Sequence, residues 1–363
     1  MSKLKIGIIG CGGIANAKHL PALSKLPELC EMVAFCDLKP ERAEEAAKKY
    51  GAENAKVFTD YHELLKIGEI DVIHVLTPNV AHCQITIDAF AAGKHVMCEK
   101  PMAPTTADAQ RMIEAAKQAG KKFTIGYQNR FREDVQTLHK ACEKGDLGKV
   151  YFAKAHATRR KAVPTWGVFT NKELQGGGCL IDIGTHALDL ALWCMDNYEP
   201  ESVSGSVYYE LGSNPEGNKF GPWNPETFDV EDSAFGYIKM KNGATIFLES
   251  SWALNTTDFK EAACSLCGTK AGAELLVADT GRSVKFNSAK YGQLMDEVIA
   301  PKGTVSYYDG AKVDAGYLEA KQWMESIAND TEPLVKPEEA LVVTRILEAI
   351  YKSFETGREV RFD

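Results

Sequence analysis

Short apolar runs alternate with helix-like segments along the first third of the chain. The runs cover residues 4–10, 31–37, 71–77, 95–100 and 122–127, with a shorter one near Val57. Between them, residues 41–51 and 106–120 are amphipathic, and each segment ends at a glycine, a common stop signal of a helix. Strands that alternate with helices are typical of a parallel sheet with crossover helices. Residues 1–125 are therefore predicted to form a doubly wound α/β domain.

The pattern changes after about residue 125. Five segments are rich in β-forming residues and often alternate: 149–160, 201–211, 232–240, 243–254 and 261–268. Consecutive strands of this kind predict a large, mostly antiparallel open sheet, with helices such as 177–195 covering one face. Residues 126–363 are thus predicted to form a second, α+β domain. A helix at about 337–356 is expected to pack back on the first domain.

Residues 212–229 contain many glycines, prolines and asparagines and carry little pattern. A loop of this length inside a domain favours a binding lid or an interface arm, and a mobile excursion is an equally open alternative.

Composition and charge narrow the class of protein. A chain of 363 residues is long for one hydrophobic core, which favours two domains. The net charge of −8 and the lack of a basic cluster argue against nucleic acid or an anionic membrane as partner. No apolar run approaches the roughly 18–20 residues of a membrane span, and the apolar start does not resemble a signal peptide. A cytoplasmic protein with a small ligand is expected.

The ten cysteines lie mostly inside apolar segments, which indicates reduced, buried thiols. Cys264 and Cys267 have the spacing of a zinc or redox site, yet no second pair and no nearby histidine complete a tetrahedral site. They are predicted to be structural thiols, and no metal site is expected.

The turn after the first apolar run reads GCGGIA, residues 10–15, and fits a dinucleotide fingerprint with Gly10, Gly12 and Ala15. Asp37 ends the next run, where an acid that binds the adenosine ribose belongs. A carboxylate there favours NAD over NADP, although Arg42 nearby softens that preference. A glycine-rich turn without a nucleotide is the alternative. The combined context predicts an NAD-binding Rossmann domain over residues 1–125.

Two further motifs carry polar groups that can do chemistry. GGGCLIDIGTHALDLALW, residues 176–193, places Asp182, His186 and Asp189 at i, i+4 and i+7, on one face of an otherwise apolar helix. A buried hydrogen-bonded pair without chemistry explains this spacing equally well. Lys100 ends the run of residues 95–100, at the strand end where ligands of parallel sheets bind, although a lysine before a proline is often a solvated loop residue.

At this point the chain resembles the Gfo/Idh/MocA oxidoreductases, named for glucose-fructose oxidoreductase and inositol dehydrogenase. The resemblance covers essentially the whole chain and rests on GCGGIA, TPNVAH (77–82), CEKP (98–101) and GGGCLIDIGTHALD (176–189) in the family's order. The family's catalytic lysine falls on Lys100, and its aspartate and histidine fall on Asp182 and His186. Some members have tyrosine in place of that histidine.

The resemblance implies an alcohol oxidation in which His186 is the base, since an imidazole titrates near working pH. Lys100 would bind the reacting oxygen and stabilise the developing alkoxide, and Asp182 would hold a neighbouring hydroxyl. Asp189 is expected to be structural, and His74 to be a core histidine.

The expected cofactor residues lie in the fingerprint, at or after the ends of the runs 31–37, 71–77 and 95–100, and near the domain crossover: Gly10, Gly12, Gly13, Ile14, Asp37, Arg42, Thr77, Pro78, Asn79, His82, Glu99, Lys100 and Gln128. The expected substrate residues, besides Lys100, Asp182 and His186, are Asn129, Arg130, Arg160 and Trp166. An ordinary packed tryptophan is an equal alternative for Trp166, and Glu99 is expected to support Lys100 or a cofactor ribose.

The predicted function is an NAD-dependent dehydrogenase that acts on a secondary hydroxyl of a sugar, glycoside or inositol. The family members most similar in PTWGVFTN, DVEDSAF and SSWALN oxidise the C3 hydroxyl of a glucosyl unit. Redox-assisted glycoside cleavage with recycled NAD and a non-catalytic NAD-binding sensor are the alternatives. The family also implies a homodimer or homotetramer formed through the open sheet.

Overall fold

The computed structural model describes residues 3–278, 281–300 and 314–362. Two compact units are present, one formed by Met1–Gln128 with Val313–Leu341 and the other by Asn129–Lys312 with Val342–Asp363. The chain therefore returns to the first unit near its end, which a single boundary at residue 125 does not describe.

The first unit contains a six-stranded sheet in which all paired strands are parallel. Its strands are β1 (Leu4–Ile9), β2 (Cys30–Cys36), β3 (Lys56–Phe58), β4 (Val72–Val75), β5 (His95–Cys98) and β6 (Phe123–Ile125). Their order, β3-β2-β1-β4-β5-β6, is that of a doubly wound dinucleotide-binding fold. The six apolar runs are the six strands, and the predicted Rossmann-like α/β fold is confirmed.

Helices connect these strands. They are α1 (Leu20–Leu23), α2 (Pro40–Tyr50), α3 (Tyr61–Leu65), α4 (His82–Ala91) and α5 (Thr106–Ala119). The limits of α5 follow from its end residues: the Thr105 hydroxyl accepts a hydrogen bond from the Asp108 amide, and Gly120 ends the helix with a φ of 61°.

The second unit contains a nine-stranded sheet in the order β14-β13-β12-β11-β7-β10-β9-β8-β15. Its elements along the chain are α6 (Glu133–Glu143), β7 (Val150–Thr158), α7 (Lys172–Gln175), α8 (Thr185–Met195), β8 (Pro200–Tyr208), β9 (Ser233–Met240), β10 (Thr245–Ser251), β11 (Glu261–Gly268), β12 (Ala271–Ala278), β13 (Gly281–Lys290) and β14 (Gln293–Ile299). Neighbouring strands are antiparallel except for β7 and β10, which are parallel.

The five segments predicted as strands are confirmed as β7 to β11, whereas β12 to β14 were not predicted. For β13 and β14 burial explains the difference, because every residue of β14 but Ile299 is exposed and only Val284 of β13 is buried. These strands have no apolar face to give a periodic pattern.

Helix α8 packs against β7 and β11 and is buried on almost every side. Residues 172–195 are long and apolar enough to cross a membrane by length and composition, but 83% of the most apolar window is buried inside the protein. That burial is typical of a core helix.

The chain ends with α9 (Ala315–Ala328), α10 (Pro337–Thr356) and the short strand β15 (Val360–Arg361). Trp323 and Met324 of α9 belong to the core of the first unit. The prediction placed α10 against the first domain, but α10 from Val342 onward belongs to the second unit. The reason is steric, because a Cβ on Gly205 of β8 or Gly236 of β9 would meet Ile350 of α10. The two glycines therefore leave room for this side chain.

The loop 212–229 is docked on residues 161–165 of the same unit. The Asn218 side chain accepts a hydrogen bond from the Val163 amide (2.9 Å) and donates one to the Val163 carbonyl oxygen (3.0 Å). The Trp223 indole is buried and donates to the Gly212 carbonyl oxygen (2.6 Å). These contacts give the loop a defined conformation despite its composition.

Candidate cofactor and active-site residues

The glycine turn after β1 has room for a phosphate-bearing ligand. Gly10 has a φ of 95°, and a Cβ there would lie 2.5 Å from the Leu76 carbonyl oxygen, so only glycine fits. A Cβ on Gly13 would meet nothing within 4 Å, and one on Gly12 would meet only the Arg42 guanidinium, at 3.9 Å. The backbone of residues 12 and 13 thus faces open space.

Asp37 is held beside this turn. Its Oδ2 accepts a hydrogen bond from the Cys11 amide (2.9 Å), and its Oδ1 accepts one from the Lys39 amide (2.9 Å). The side chain is half-buried, so its carboxylate keeps capacity for further donors. An open glycine turn with an adjacent anchored carboxylate fits the pyrophosphate and ribose of NAD.

Replacing Asp37 by serine is expected to weaken NAD binding about tenfold and to reduce the discrimination against NADP, because the charged acceptor and its repulsion of a 2′-phosphate are both lost. Fluorescence titration with each nucleotide measures both effects. Asp60→Ser, which removes a capping carboxylate of α3, is the control. Unchanged affinities for the Asp37 variant would contradict its assignment.

The remaining predicted cofactor residues differ in how far they are exposed to solvent. Pro78 is exposed and Thr77 and Asn79 are partly exposed after β4, as are Ile14 after the glycine turn and Gln128 after β6. His82, in contrast, is fully buried, and its ring nitrogens lie 2.9 Å from the Pro101 carbonyl oxygen and 3.0 Å from that of Thr77. Both ring nitrogens thus contact the protein backbone, in the loops that contain Thr77 and Pro101.

Glu99 belongs to a buried network of charged and polar side chains. Its Oε1 pairs with Lys18 and lies 2.7 Å from His19 Nε2, and its Oε2 accepts the Lys100 amide (3.1 Å). Lys18 also pairs with Glu319 on α9 (3.0 Å), and His19 Nδ1 lies 3.2 Å from His74 Nδ1. Glu99 therefore supports Lys100, which is one of its two expected roles, and does so from the protein interior.

Burial and neighbouring charges set the protonation states of this network. Lys18 and His19 hold the pKa of Glu99 well below its usual range despite burial. Burial lowers the pKa of His19 to about 4 and raises that of Glu319 to about 7. At neutral pH His19 is thus neutral, Glu99 is a carboxylate, and Glu319 is close to its midpoint.

The raised pKa of Glu319 predicts that the stability of the folded protein depends on pH. Because its pKa in the folded state, about 7, exceeds the ordinary value of 4.5, the folded protein keeps a proton that the unfolded chain releases between these two values. At 1.36 kcal/mol per unit, this lowers the free energy of unfolding by about 3 kcal/mol as the pH rises from 4 to 8. Glu319→Gln is expected to abolish this loss in denaturant unfolding at both pH values. Glu325→Gln, an exposed change on the same helix, should behave as the parent, and a parent-like Glu319→Gln would contradict the assignment.

In the second unit, Asp182 and His186 are carried by a helix with an irregular first turn. Residues Leu180–Gly184 form a π-helical turn that continues directly into α8. The expectation of one regular helix over 177–195 is corrected accordingly, and such turns are frequent at functional sites. Asp182 and His186 are partly exposed, whereas Ile181, Ile183 and Ala187 are buried.

Trp252 fixes Asp182. Its indole nitrogen donates to Asp182 Oδ2 (2.9 Å), and the tryptophan is fully buried at the end of β10. One carboxylate oxygen of Asp182 is thus held by the protein, which limits the rotamers of the side chain. This arrangement suits a residue that orients a bound hydroxyl.

Arg130 does not have the position expected of a substrate residue. Its side chain is fully buried, with Nε 3.0 Å from Asp189 Oδ2 and Nη2 2.5 Å from Asp189 Oδ1. A paired, desolvated guanidinium of this kind anchors α8 rather than contacting a ligand. The same pair confirms the structural role expected of Asp189.

The other predicted substrate residues are accessible. Asn129 is half-exposed, Arg160 is exposed, and Trp166 is 51% exposed with edge-to-face contacts to Phe169 and Phe220. Residues that sequence reasoning did not assign are Lys18, His19, Glu319 and Trp252. Trp252 lies in SSWALN, a segment that carried the family resemblance, whereas the other three have no sequence signal.

No group of three or more potential metal ligands occurs among residues 3–278, 281–300 and 314–362. All ten cysteines are free, Cys264 and Cys267 included.

Comparison with known proteins identifies the family of the chain. Models of the Gfo/Idh/MocA oxidoreductase family match residues 4–127 as its NAD-binding Rossmann fold and residues 139–362 as its C-terminal α/β domain. The chain is 37% identical to D-glucoside 3-dehydrogenase of Escherichia coli strain K12, over 99% of this chain and 97% of the relative. It is 32% identical to inositol 2-dehydrogenase of Salmonella paratyphi B, over 53% of this chain and 55% of the relative.

A solved structure agrees with the fold. Aldose-aldose oxidoreductase from Caulobacter crescentus, complexed with glycerol, superposes with a TM-score of 0.82 and 26% identity, over 99% of this chain and 100% of that one. With two family models that cover both sheets and a relative aligned along its length, the chain belongs to the Gfo/Idh/MocA oxidoreductase family and is an NAD-dependent oxidoreductase.

Proposed function

We propose that this protein oxidises a secondary hydroxyl of a sugar or glycoside, with the C3 hydroxyl of a glucosyl unit as its preferred position. The observation that carries the proposal is the partly exposed pair Asp182 and His186 on an otherwise buried helical segment. The preference for C3 is supported by the full-length similarity to D-glucoside 3-dehydrogenase.

Oxidation of an alcohol needs a base for the hydroxyl proton and an acceptor for the hydride. When bound, NAD supplies the hydride acceptor. His186 accepts the proton at an imidazole nitrogen, since histidine is the side chain most often used as a general base. Lys100 donates a hydrogen bond to the reacting oxygen from its ammonium group, which favours the alkoxide.

Asp182 orients the sugar in this proposal. The Trp252 indole holds one carboxylate oxygen, and the second accepts a hydrogen bond from a hydroxyl next to the reacting one. A ring with neighbouring hydroxyl groups meets this requirement, whereas a simple secondary alcohol does not. Substrates that lack the neighbouring hydroxyl should therefore lose kcat as well as affinity.

The test is incubation of the protein and NAD with a panel of glucosides, free hexoses and inositols, with NADH absorbance recorded and products identified by NMR. NADH together with a 3-keto glucoside is expected. Glycoside cleavage without net NADH would favour redox-assisted cleavage, and NAD binding without turnover of any compound would favour a sensor. Either outcome contradicts the proposal.

We also propose that a second copy of the chain covers the outer face of the nine-stranded sheet. Phe247 is 47% exposed there, and its ring contacts those of Phe152 and Tyr237, so that an aromatic cluster faces outward. A homodimer or homotetramer is expected in sedimentation equilibrium, and a monomer at micromolar concentration would contradict it.

The proposed partner is a small carbohydrate, not nucleic acid or membrane, in keeping with the net charge of −8. The ten free thiols fit a reducing compartment, and we propose the cytoplasm.

A further inference from the structure

The triple glycine of residues 176–178 packs against a buried carboxylate, Glu231. A Cβ on Gly178 would lie 2.2 Å from the Glu231 carbonyl oxygen, and one on Gly177 would lie 2.3 Å from the hydroxyl oxygen of Tyr351. Glycine is therefore required because residue 231 and α10 approach the backbone closely, and these two glycines serve the packing of the second unit.

The Glu231 carboxylate receives three hydrogen bonds. The Gly178 amide donates to Oε2 (2.7 Å), and the Leu180 amide (2.9 Å) and the Tyr351 hydroxyl (2.8 Å) donate to Oε1. The side chain is 1% exposed, and burial raises its pKa. Three donors and no acceptor match an ionised carboxylate, so the hydrogen-bond geometry opposes the effect of burial.

The amides that Glu231 binds begin the helical segment that carries Asp182 and His186. Cys179, which precedes the π-helical turn, provides no side-chain cap. The Gly178 carbonyl oxygen in turn accepts the Asp182 amide (3.0 Å). Glu231 thus acts as a distant cap, with its negative charge at the helix end where free amides favour an anion.

The neighbouring residues hold the same segment from a second direction. The Asp232 carbonyl oxygen accepts the Trp252 amide (3.1 Å), and the Trp252 indole donates to Asp182. The residues just before β9 therefore contact the backbone of this segment directly and reach the Asp182 side chain only through Trp252.

From these contacts we propose that Glu231 is a positioning residue, which fixes the orientation of Asp182 and His186 through the backbone of residues 178–180. Its effect on turnover rests on the function proposed above. Its effect on the His186 ring does not, because the ring can be observed without any substrate.

The first test follows the ring signals of His186 by NMR during pH titration, assigned with His186→Gln. Glu231→Gln keeps the size of the side chain but turns one acceptor into a donor that faces other donors. It is expected to shift the His186 ring signals and their titration midpoint. Asp232→Asn is the matched control, because Asp232 is equally buried and adjacent but its carboxylate accepts from Leu211 and Ser233.

The second test measures turnover with the substrate that the panel identifies. Glu231→Gln is expected to lower kcat about 10- to 100-fold, as small displacements of catalytic groups do, while the KM for NAD stays unchanged. Tyr351→Phe leaves both amide contacts in place, so it should cause a smaller loss in the same direction, and it should add nothing in the Glu231→Gln background.

Unchanged His186 signals in both Glu231→Gln and Tyr351→Phe would overturn the proposal, as would an equal effect of Asp232→Asn. If Glu231→Gln does not fold, the test rests on Tyr351→Phe. A shift of the His186 signals in that variant would support the proposal, and unchanged signals would overturn it. A shift without turnover of any sugar would support the positioning role and contradict only the proposed function.

Discussion

Replacing Lys100 by methionine is expected to lower kcat by about 10³-fold, because methionine keeps the apolar stem but removes the positive charge that stabilises the developing alkoxide. Glu99 should hold the loop in place, since its carboxylate accepts a hydrogen bond from the Lys100 backbone amide, which the substitution keeps. The melting temperature is therefore expected to change little. Initial rates of NADH formation measure the effect.

Two further variants test whether the loss of kcat comes from the charge of Lys100. Lys117→Met removes a lysine side chain that is 67% exposed on α5 and should retain full activity. Lys100→Arg keeps the charge with a different shape and should recover only part of the rate. A Lys100→Met protein with more than about a tenth of the parental kcat would exclude the alkoxide-stabilising role.

Replacing His186 by glutamine is expected to lower kcat at neutral pH by about 10²- to 10⁴-fold, since the general base is lost. The difference in kcat between the variant and the parent should become smaller as the pH rises, because hydroxide then deprotonates the alcohol. Added imidazole should restore part of the activity for the same reason. Rates between pH 6 and pH 10 measure both effects.

His62→Gln is the control for this experiment, since His62 lies on the surface of the first unit with its side chain 59% exposed. It should leave the pH profile unchanged. A His186→Gln protein whose deficit is the same at every pH, without response to imidazole, would show that His186 contributes shape and not proton transfer.

The first unit could be predicted closely because its central strands β4, β5 and β6 are buried on both faces. Such strands are continuous apolar runs, and the glycine turn and helix caps mark their connections. The outer strands β13 and β14 could not be predicted, because their residues are mostly exposed and show no apolar periodicity.

The site was predictable only where a local motif marks it. Lys100, Asp182 and His186 stand in short motifs shared with the family. Arg130 looked like a ligand residue because nothing near it in sequence shows that Asp189 would bury it. Glu231 and Tyr351 meet the triple glycine only after the sheet and α10 have packed, so no local pattern identifies them.

The central claim is hydride removal from C3 of a glucosyl unit. The most direct measurement is the reaction of NAD with methyl glucoside that carries deuterium at C3, followed by mass spectrometry of the reduced cofactor. We expect one deuterium in the reduced cofactor and a slower initial rate than with the unlabelled glucoside. Reduced cofactor without deuterium, or deuterium transferred instead from glucoside labelled at C2, would contradict the assignment.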